Sequence, residues 1–469
     1  MFFPNGASRT QTRSRVQRAD WPEAGVDLRR AASAANPMRM PSSRPIVFVN
    51  ARLLDPEAER EISGGLLVKD GRIVDFGGRL AKDQAPDDAI VVDCAGDVVA
   101  PGIVDMRCFI GEPGAEYRET IATASAAAAR GGVTTLVCRP DTTPPVDDPA
   151  VVDFIRRRSR DDAAVRVLPM AAMTKGLRGA EIAEYGMLSD AGAVAFADGD
   201  WSIESAKVMR QALRYGRDFD ALIAPNVADR SLAEHGVVRE GALATRLGLA
   251  GAPREAETIA LDRDLRLVAL TGARYHAARI SNSLSVAAMA RAKRDGLGVT
   301  CGVTINHLTL NENDIGDYRT FLKLRPALAP EEERLSLARA LADGIIDVIV
   351  SDHEGQDVET KRLPFDEAKP GAVGLETLLS AALRQVSAGH ITLPRLWRTL
   401  SLRPSEILRL PTGRLRKGAP ADLVRFAPEE PYVLEPSSLR SKCRNTPFDQ
   451  ARFEGRVKMT LVAGAIIYQ

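Results

Sequence analysis

Residues 98–142, VVAPGIVDMRCFIGEPGAEYRETIATASAAAARGGVTTLVCRPDT, decide the fold. A short apolar run and a Pro-Gly pair precede residues 103–106, an apolar segment of the kind that forms a buried strand. An alanine-rich segment that ends at Gly131-Gly132 predicts a helix, and the β-branched residues 133–137 predict a second strand. The stretch is therefore predicted to form a strand–loop–helix–strand unit.

Similar units recur along the central part of the chain. Between residues 100 and 410, strand-sized apolar runs alternate with helical stretches such as residues 203–216 and 330–342. This alternation predicts an α/β fold, a (β/α)8 TIM barrel, in which functional side chains stand at the C-terminal ends of the strands.

The two ends of the chain have a different pattern. Residues 45–99 and 411–469 contain short strand patterns that cannot form a core alone, and we predict that together they build one small β-sandwich. Residues 1–44 are rich in Arg, Ser and Ala, which favours a disordered or spurious N-terminal extension over a targeting peptide.

Composition excludes several classes of protein. The 63 basic and 62 acidic residues leave a net charge of +1, which gives no electrostatic case for binding nucleic acid or a membrane surface. No apolar run approaches the roughly 18 residues of a transmembrane helix. The five scattered cysteines contain no CxxC pair and predict a reducing, cytoplasmic location. Only five histidines are present, and no two are spaced i, i+2 or i, i+4.

Several short motifs together point to one family. They are Gly-x-x-Asp-Met (102–106), Glu-Pro-Gly (112–114), Gly-Gly-Val-Thr-Thr (131–135), Ser-Asp-His (351–353), Ala-Asp-Leu-Val (421–424) and Asn-Thr-Pro-Phe (445–448). In this order they resemble dihydroorotases, which are cyclic amidohydrolases of pyrimidine biosynthesis, and the resemblance runs from about residue 46 to the C-terminus. It implies a barrel of the metal-dependent hydrolase type.

The resemblance also implies where metal ligands would stand, and most of those positions have changed. The four ligand histidines are replaced by Arg107, Phe109, Asn226 and Arg279, and only two carboxylates remain, Asp198 and Asp352. Zinc needs at least three good N, O or S donors, and a guanidinium repels a divalent cation. We therefore expect no metal cofactor. Asp198 has a second interpretation, as a loop residue that caps a turn.

The positions that would contact substrate have changed as well. Gly111 stands at the position of the family's arginine, and Asp141 stands at the position of its asparagine, so both partners of the substrate carboxylate are missing. His353 keeps a substrate-contact position, and Asp352 keeps the position of the catalytic base. Without a metal-bound hydroxide, Asp352 alone would be a poor amidase.

We expect the arginines to take the place of the metal ions. Arg107 and Arg279 would pair with Asp352 and Asp198, each pair being worth roughly 4 kcal/mol before the cost of desolvation. His276, three residues before Arg279, is expected to be a packing residue of the barrel wall.

Three functions remain open at this stage. The resemblance implies a non-catalytic, dihydroorotase-like subunit that forms an oligomer with aspartate carbamoyltransferase. The first alternative is an active dihydroorotase or related cyclic amidase, with zinc held by a rebuilt set of ligands: His307, His353, Asp198 and Asp352. The second alternative is a small-molecule binder that holds an anion with Arg107, Arg139 and Arg279.

Overall fold

The computed structural model describes residues 44–78, 80 and 85–469. The predicted N-terminal extension therefore lies outside the described residues, except for Arg44. In the described ranges we find no helix that is both long and apolar enough to cross a membrane.

A closed ring of parallel strands forms the centre of the molecule. Each strand pairs with the next, and the fifth strand consists only of a bridge residue, Ile223. The segment His353–Glu354 closes the ring by pairing with the first strand. In chain order the strands are Ile103–Phe109, Val133–Cys138, Arg166–Ala172, Ala195–Ala197, the bridge at Ile223, Tyr275–Ala277, Val299–Thr304, and Val348–Val350 continued by His353–Glu354. The predicted barrel is confirmed.

Helices surround this ring. The longer ones are Ile121–Arg130, Pro149–Asp162, Tyr185–Ala191, Ala206–Asp218, Glu255–Thr271, Ser283–Arg294, Glu331–Ala342 and Leu378–Ser387. Shorter helices are Arg230–Ala233, Ala242–Leu247, Ile305–Thr309, Val358–Arg362, Leu393–Trp397 and Arg403–Ile407, and short strand pairs are Val238–Arg239 with Gly251–Ala252 and Tyr432–Val433 with Arg452–Phe453.

The first helix shows how the sequence determines local structure. Thr120 caps the N-terminus of Ile121–Arg130, and Thr123 completes a capping box with it. The helix ends at Gly131, where a Cβ atom would lie 2.1 Å from the carbonyl oxygen of Leu375. Four alanines of the helix, Ala124, Ala127, Ala128 and Ala129, are buried in the main core, where their small size allows close packing.

The two chain ends form one eight-stranded sheet with its own apolar core. The predicted pairing of the ends is confirmed, because Leu423–Ala427 runs antiparallel to Val98–Pro101. The strands follow one another in a single hydrogen-bonded sheet, and residues 418–421 also bond to Gly71 and Ile73, so the sheet turns back toward its own last strand; the sandwich arrangement stays a prediction. The strand order is Ala465–Tyr468, Arg456–Val462, Leu423–Ala427, Val98–Pro101, Ile46–Asp55, Arg60–Lys69 and Arg72–Gly77, with Ile90–Asp93 also paired to Ile46–Asp55. The domain boundaries at residues 99 and 411 stay predictions.

Trp397 joins the barrel region to this sheet. Its side chain is fully buried, and its indole Nε1 donates a hydrogen bond of 2.7 Å to the carbonyl oxygen of Pro101. Its ring stacks on that of Phe426, with centroids 5.1 Å apart and planes 4° from parallel. The contact places a residue that follows the barrel against two strands of the terminal sheet.

Candidate active site

The C-terminal ends of the barrel strands bring several arginines together. Arg107 lies near the end of the first strand, Arg139 directly follows the second, and Arg279 lies two residues after the sixth. Asp352 lies at the break in the eighth strand, where its φ of 49° interrupts the extended backbone. This is the face where enzymes with this fold carry their functional side chains.

Two guanidinium groups hold the carboxylate of Asp352. Arg107 Nε donates to Oδ1 at 2.9 Å, and Arg279 Nη1 donates to Oδ2. The same two arginines share Asp200, with each Nη2 2.8 Å from its Oδ1. Arg107 and Arg279 are 1% and 2% exposed, so two buried cations directly contact two carboxylates that are themselves partly buried. The predicted pairing of both arginines with Asp352 is confirmed.

The predicted role of Asp198 is wrong. Its carboxylate accepts hydrogen bonds from the backbone N–H groups of Met173 and Thr174 and from the Thr174 hydroxyl. Asp198 thus caps the loop after the third strand, as its second interpretation held, and Asp200 pairs with the arginines instead. Gly199, with a φ of 75°, allows the tight turn between these two aspartates.

The network extends outward through further pairs. Arg139 contacts Asp200 at 3.1 Å, Glu354 at 2.8 Å, and both oxygens of Asp141. Arg118 contacts Glu354 at 3.1 Å. We call these eight residues the arginine–carboxylate cluster; they are Arg107, Arg118, Arg139, Arg279, Asp141, Asp200, Asp352 and Glu354. The cluster contains equal numbers of positive and negative side chains.

The charges within the cluster stabilise one another. Burial alone would raise the pKa of Asp352, but the guanidiniums of Arg279 and Arg107 outweigh it and hold that pKa below its usual range. The pKa of Asp200 is lowered in the same way, mainly by Arg139 and Arg279. Burial and the neighbouring arginines lower the pKa of Arg107 to about 10, so Arg107 stays charged at neutral pH.

Phe109 and Asn226, at the other two positions where the resemblance implies histidines, pack against this cluster. The ring of Phe109 lies 4.1 Å from the guanidinium carbon of Arg118, a cation–π contact. Asn226 accepts a hydrogen bond of 2.9 Å from Arg279 Nε and donates one to the backbone oxygen of Asp200. Both residues therefore hold arginines in position.

The three positions at which the resemblance implies substrate contacts, Gly111, Asp141 and His353, take part in structural interactions. A Cβ atom at Gly111 would lie 2.3 Å from the carbonyl oxygen of Ala115, so the loop leaves no room for a side chain there. Asp141 is bound by Arg139. His353 Nδ1 accepts a hydrogen bond from the backbone of Gly374, and its Nε2 lies 3.3 Å from Glu119. The imidazole of His353 is thus bound at both nitrogens.

The residues present do not fit a catalytic metal ion. In the described part of the chain, no three His, Cys, Asp or Glu side chains come together in a way that could hold one. Of the ligands that the zinc alternative requires, Asp198 and His353 have other partners. His307 keeps one free nitrogen, Nε2, while its Nδ1 bonds to Thr304.

The arginines of the anion-binding alternative already have anionic partners, since Arg107, Arg139 and Arg279 each contact at least two carboxylates. Nη1 of Arg107 is buried and has no hydrogen-bond partner among the described residues, so this alternative stays open.

Sequence reasoning missed three members of the cluster: Asp200, Arg118 and Glu354. One signal could have pointed to Asp200. Three arginines at the strand ends require counter-charges, and the sequence Asp198-Gly199-Asp200 contains a second aspartate two residues after the first. Only the fold shows that the second one faces the arginines. His276 is a buried residue of the sixth strand and bonds to Thr300, which confirms its predicted packing role.

Solved structures show the class of this fold. An L-hydantoinase from Arthrobacter aurescens superposes with a TM-score of 0.82 at 24% sequence identity, covering 90% of this chain and 96% of the hydantoinase. A dihydropyrimidinase from Brevibacillus agri gives a TM-score of 0.77 at 19% identity, covering 91% of this chain. The barrel and its terminal sheet therefore share the fold of this hydantoinase and this dihydropyrimidinase.

Sequence relatives define the family more closely. A dihydroorotase of Ehrlichia canis is 38% identical over 425 residues, which cover 90% of this chain and 95% of the relative. A dihydroorotase of Caldanaerobacter subterraneus is 38% identical over 420 residues, which cover 86% and 97%. A family profile described as dihydro-orotase-like matches residues 96–285. The chain belongs to the dihydroorotase family, as the motifs predicted.

Proposed function

We propose that this chain is a non-catalytic dihydroorotase homologue of pyrimidine biosynthesis that serves as a structural partner of aspartate carbamoyltransferase. One observation carries the proposal: guanidinium groups of Arg107 and Arg279 bind both carboxylate oxygens of Asp352, at the position of the family's catalytic base. The relatives named dihydroorotase place the chain in the pathway.

The chemistry of Asp352 supports the first part of the proposal. A general base must accept a proton from the attacking water, and its pKa must lie close enough to the working pH to do so. The pKa of Asp352 is held low by two arginines, and its oxygens already accept their hydrogen bonds. His307, whose Nε2 has no hydrogen-bond partner, would be a weak base, because burial lowers its pKa to about 4.

Family resemblance supports the second part. Inactive dihydroorotase-like proteins are associated with aspartate carbamoyltransferase as structural subunits, and a barrel kept in shape by internal ion pairs suits that role. We also place the chain in the cytoplasm, as an oligomer with its partner. All five cysteines are buried and unpaired, in keeping with a reducing compartment.

A single purification tests both parts. The full-length chain is isolated from its source cells under mild conditions, and the sample is analysed for aspartate carbamoyltransferase, bound zinc and dihydroorotate hydrolysis. We expect stoichiometric recovery of the carbamoyltransferase, no stoichiometric zinc in this chain and no turnover beyond that of a separate dihydroorotase. Zinc content and turnover are also measured on the recombinant chain purified alone. This control shows whether either belongs to this chain or to a co-purified protein.

The contrary results are equally clear. One or two zinc ions per recombinant chain, together with turnover, would favour the active enzyme with a rebuilt site. Recovery of the chain without any carbamoyltransferase would contradict the structural role.

A further inference from the structure

A large cavity opens at the end of the barrel opposite to the arginine–carboxylate cluster. Its volume is about 970 Å³, and residues at the starts of the third to sixth strands line it. The segment of residues 407–412, which leads from the barrel to the terminal sheet, forms another wall. The volume falls within the range of roughly 300–1,000 Å³ that is typical of small-molecule sites.

The inner wall of the cavity is apolar. Leu168, Val194 and Leu222 extend from the barrel interior, and Leu408 and Leu410 belong to the same hydrophobic cluster. Leu168 and Val194 are only partly buried, so they retain apolar surface that a ligand can cover. An apolar body entering here would gain about 25 cal/mol for each Å² of apolar surface removed from water.

The rim of the cavity is rich in arginine. Seven arginines and four aspartates line it. The arginines are Arg156, Arg157, Arg160, Arg166, Arg217, Arg274 and Arg409, and the aspartates are Asp153, Asp190, Asp218 and Asp220. Several of these arginines are balanced locally; Arg166, for example, is held by both oxygens of Asp422. The arginines that could bind an added anion are those whose charge is not balanced by a carboxylate of their own.

Two rim sites have unbalanced positive charge. Arg274 and Arg409 share one carboxylate, that of Asp220, which lies 3.7 Å from Arg274 Nε and also contacts Arg409. Arg156 donates to the carbonyl oxygen of Ala191 at 2.7 Å, and no carboxylate contacts it within the described residues. Burial and the charge of Arg409 lower the pKa of Arg274, a repulsion that an added anion would relieve.

We propose that this cavity is a binding site for a small organic anion, with an apolar or aromatic body against Leu168, Val194 and Leu222 and a phosphate or carboxylate group at Arg156 or at the Arg274–Arg409 pair. Guanidinium N–H donors suit both head groups. At the pair they would come from Arg409, because Nη1 and Nη2 of Arg274 already donate to the carbonyl oxygens of Asp220 and Ile407. The site lies at the other end of the barrel from Asp352, so it does not depend on whether the chain is catalytic.

The probe for the first test is 8-anilinonaphthalene-1-sulfonate, an anion with an aromatic body, titrated into the full-length protein and followed by fluorescence. We expect saturable binding at one site per chain that weakens with added salt. Arg156→Gln and Arg409→Gln remove one charge each from the rim, and at least one of them should weaken affinity about five- to tenfold, as the loss of a charge-assisted hydrogen bond would. Arg210→Gln, on the exposed side of helix Ala206–Asp218 outside the cavity, is the matched control and should leave affinity unchanged.

Two further arms separate the parts of the proposal. The uncharged analogue N-phenyl-1-naphthylamine should bind equally well to the parent protein and to both arginine variants, while Val194→Trp, which fills the cavity, should remove binding of both dyes. Phenyl phosphate and benzoate, as competitors of the anionic dye, show which head group the rim prefers. Thermal melting checks that each variant is folded; if Val194→Trp is not, the arginine variants decide alone. Absence of saturable binding, or affinity unchanged in both arginine variants, would overturn the proposal.

Discussion

At the scale of single residues, the central feature is the pair of arginines around Asp352, which stand where the family resemblance implies histidines. An isolated carboxylate buried at a barrel mouth would lose its hydration without compensation. Arg107 and Arg279 provide a fixed positive charge and planar donors that reach both oxygens of Asp352. They meet the electrostatic requirement that a cation would otherwise meet, and they carry no proton-transfer chemistry at neutral pH.

Asp352→Asn tests this balance directly. The substitution leaves both buried arginines without half of their shared counter-charge, so the free energy of unfolding should fall by about 3–5 kcal/mol. Urea denaturation at neutral pH measures the change. Asp262→Asn, which breaks the exposed pair with Arg291, is the control and should cost at most about 1 kcal/mol. Equal effects of the two substitutions would contradict the proposed importance of the buried pairs.

The double substitution Arg107→His and Phe109→His tests whether the loss of ligands is local. We expect no dihydroorotase turnover with zinc supplied, because Asn226 and Arg279 still replace two ligands, and Gly111 and Asp141 still offer no partner for a substrate carboxylate. The assay is release of product from dihydroorotate, with zinc content measured on the same sample. Clear turnover in this variant would show that the loss is confined to residues 107 and 109.

At the scale of secondary structure elements, the break in the eighth strand places the site. Val348–Val350 pairs with the seventh strand, and His353–Glu354 pairs with the first, so Asp352 lies between two pairings. Its positive φ is unusual for an aspartate and turns the backbone at this point. Asp105 stabilises the turn, because its carboxylate accepts hydrogen bonds from the backbone N–H and the hydroxyl of Ser351.

The junction between barrel and sheet gives a prediction at this scale. Trp397→Phe removes the hydrogen bond to Pro101 and reduces the stacked area on Phe426, so we expect a loss of about 1–3 kcal/mol in unfolding free energy. Denaturation monitored by circular dichroism measures it. Trp201→Phe, at a half-buried tryptophan near the exposed Arg230, should change stability by no more than about 0.5 kcal/mol. If Trp397→Phe left the free energy of unfolding unchanged, the junction would contribute little to stability.

At the scale of the whole molecule, buried ionisable groups set the dependence of stability on pH. Burial lowers the pKa of His276 and His307 to about 4, below the ordinary value of about 6.5 in an unfolded chain. Between these values the unfolded chain binds protons that the folded chain excludes, so these histidines destabilise the fold as pH falls. Asp105 and Asp198, whose pKa burial raises to about 6, act in the opposite direction, because their folded forms bind protons first.

The contribution of one histidine can be isolated by comparing variants. Relative to His276→Gln, the parent protein should lose about 1.4 kcal/mol of unfolding free energy for each pH unit between about 6.5 and 4, which corresponds to one proton. Urea denaturation of both proteins at several pH values gives this difference, and the aspartates cancel from it. A difference that does not change with pH would show that His276 is protonated in the folded chain.

Much of the fold was predictable from local pattern. The alternation of strands and helices, the Gly-Gly end of the first helix and the pairing of the two chain ends follow from short-range chemistry, and the structure confirms each of them. The candidate site was predictable only in part. The motifs indicated which positions had lost histidine, but they did not distinguish Asp198 from Asp200, because both lie in one short loop and differ only in the direction of their side chains.

The sequence by itself therefore determined the family and the barrel, and it predicted that Arg107, Phe109, Asn226 and Arg279 stand at the positions of four family histidines. Beyond the predicted pairing with Asp352, only the tertiary structure decided what those residues contact. Arg118, Arg139, Asp200 and Glu354 join the cluster from separate segments of the chain, because the parallel strands of a closed barrel end at one face and bring distant segments together. The sequence could not show these contacts, because an ion pair depends on distances of a few ångströms between residues that are far apart in the chain.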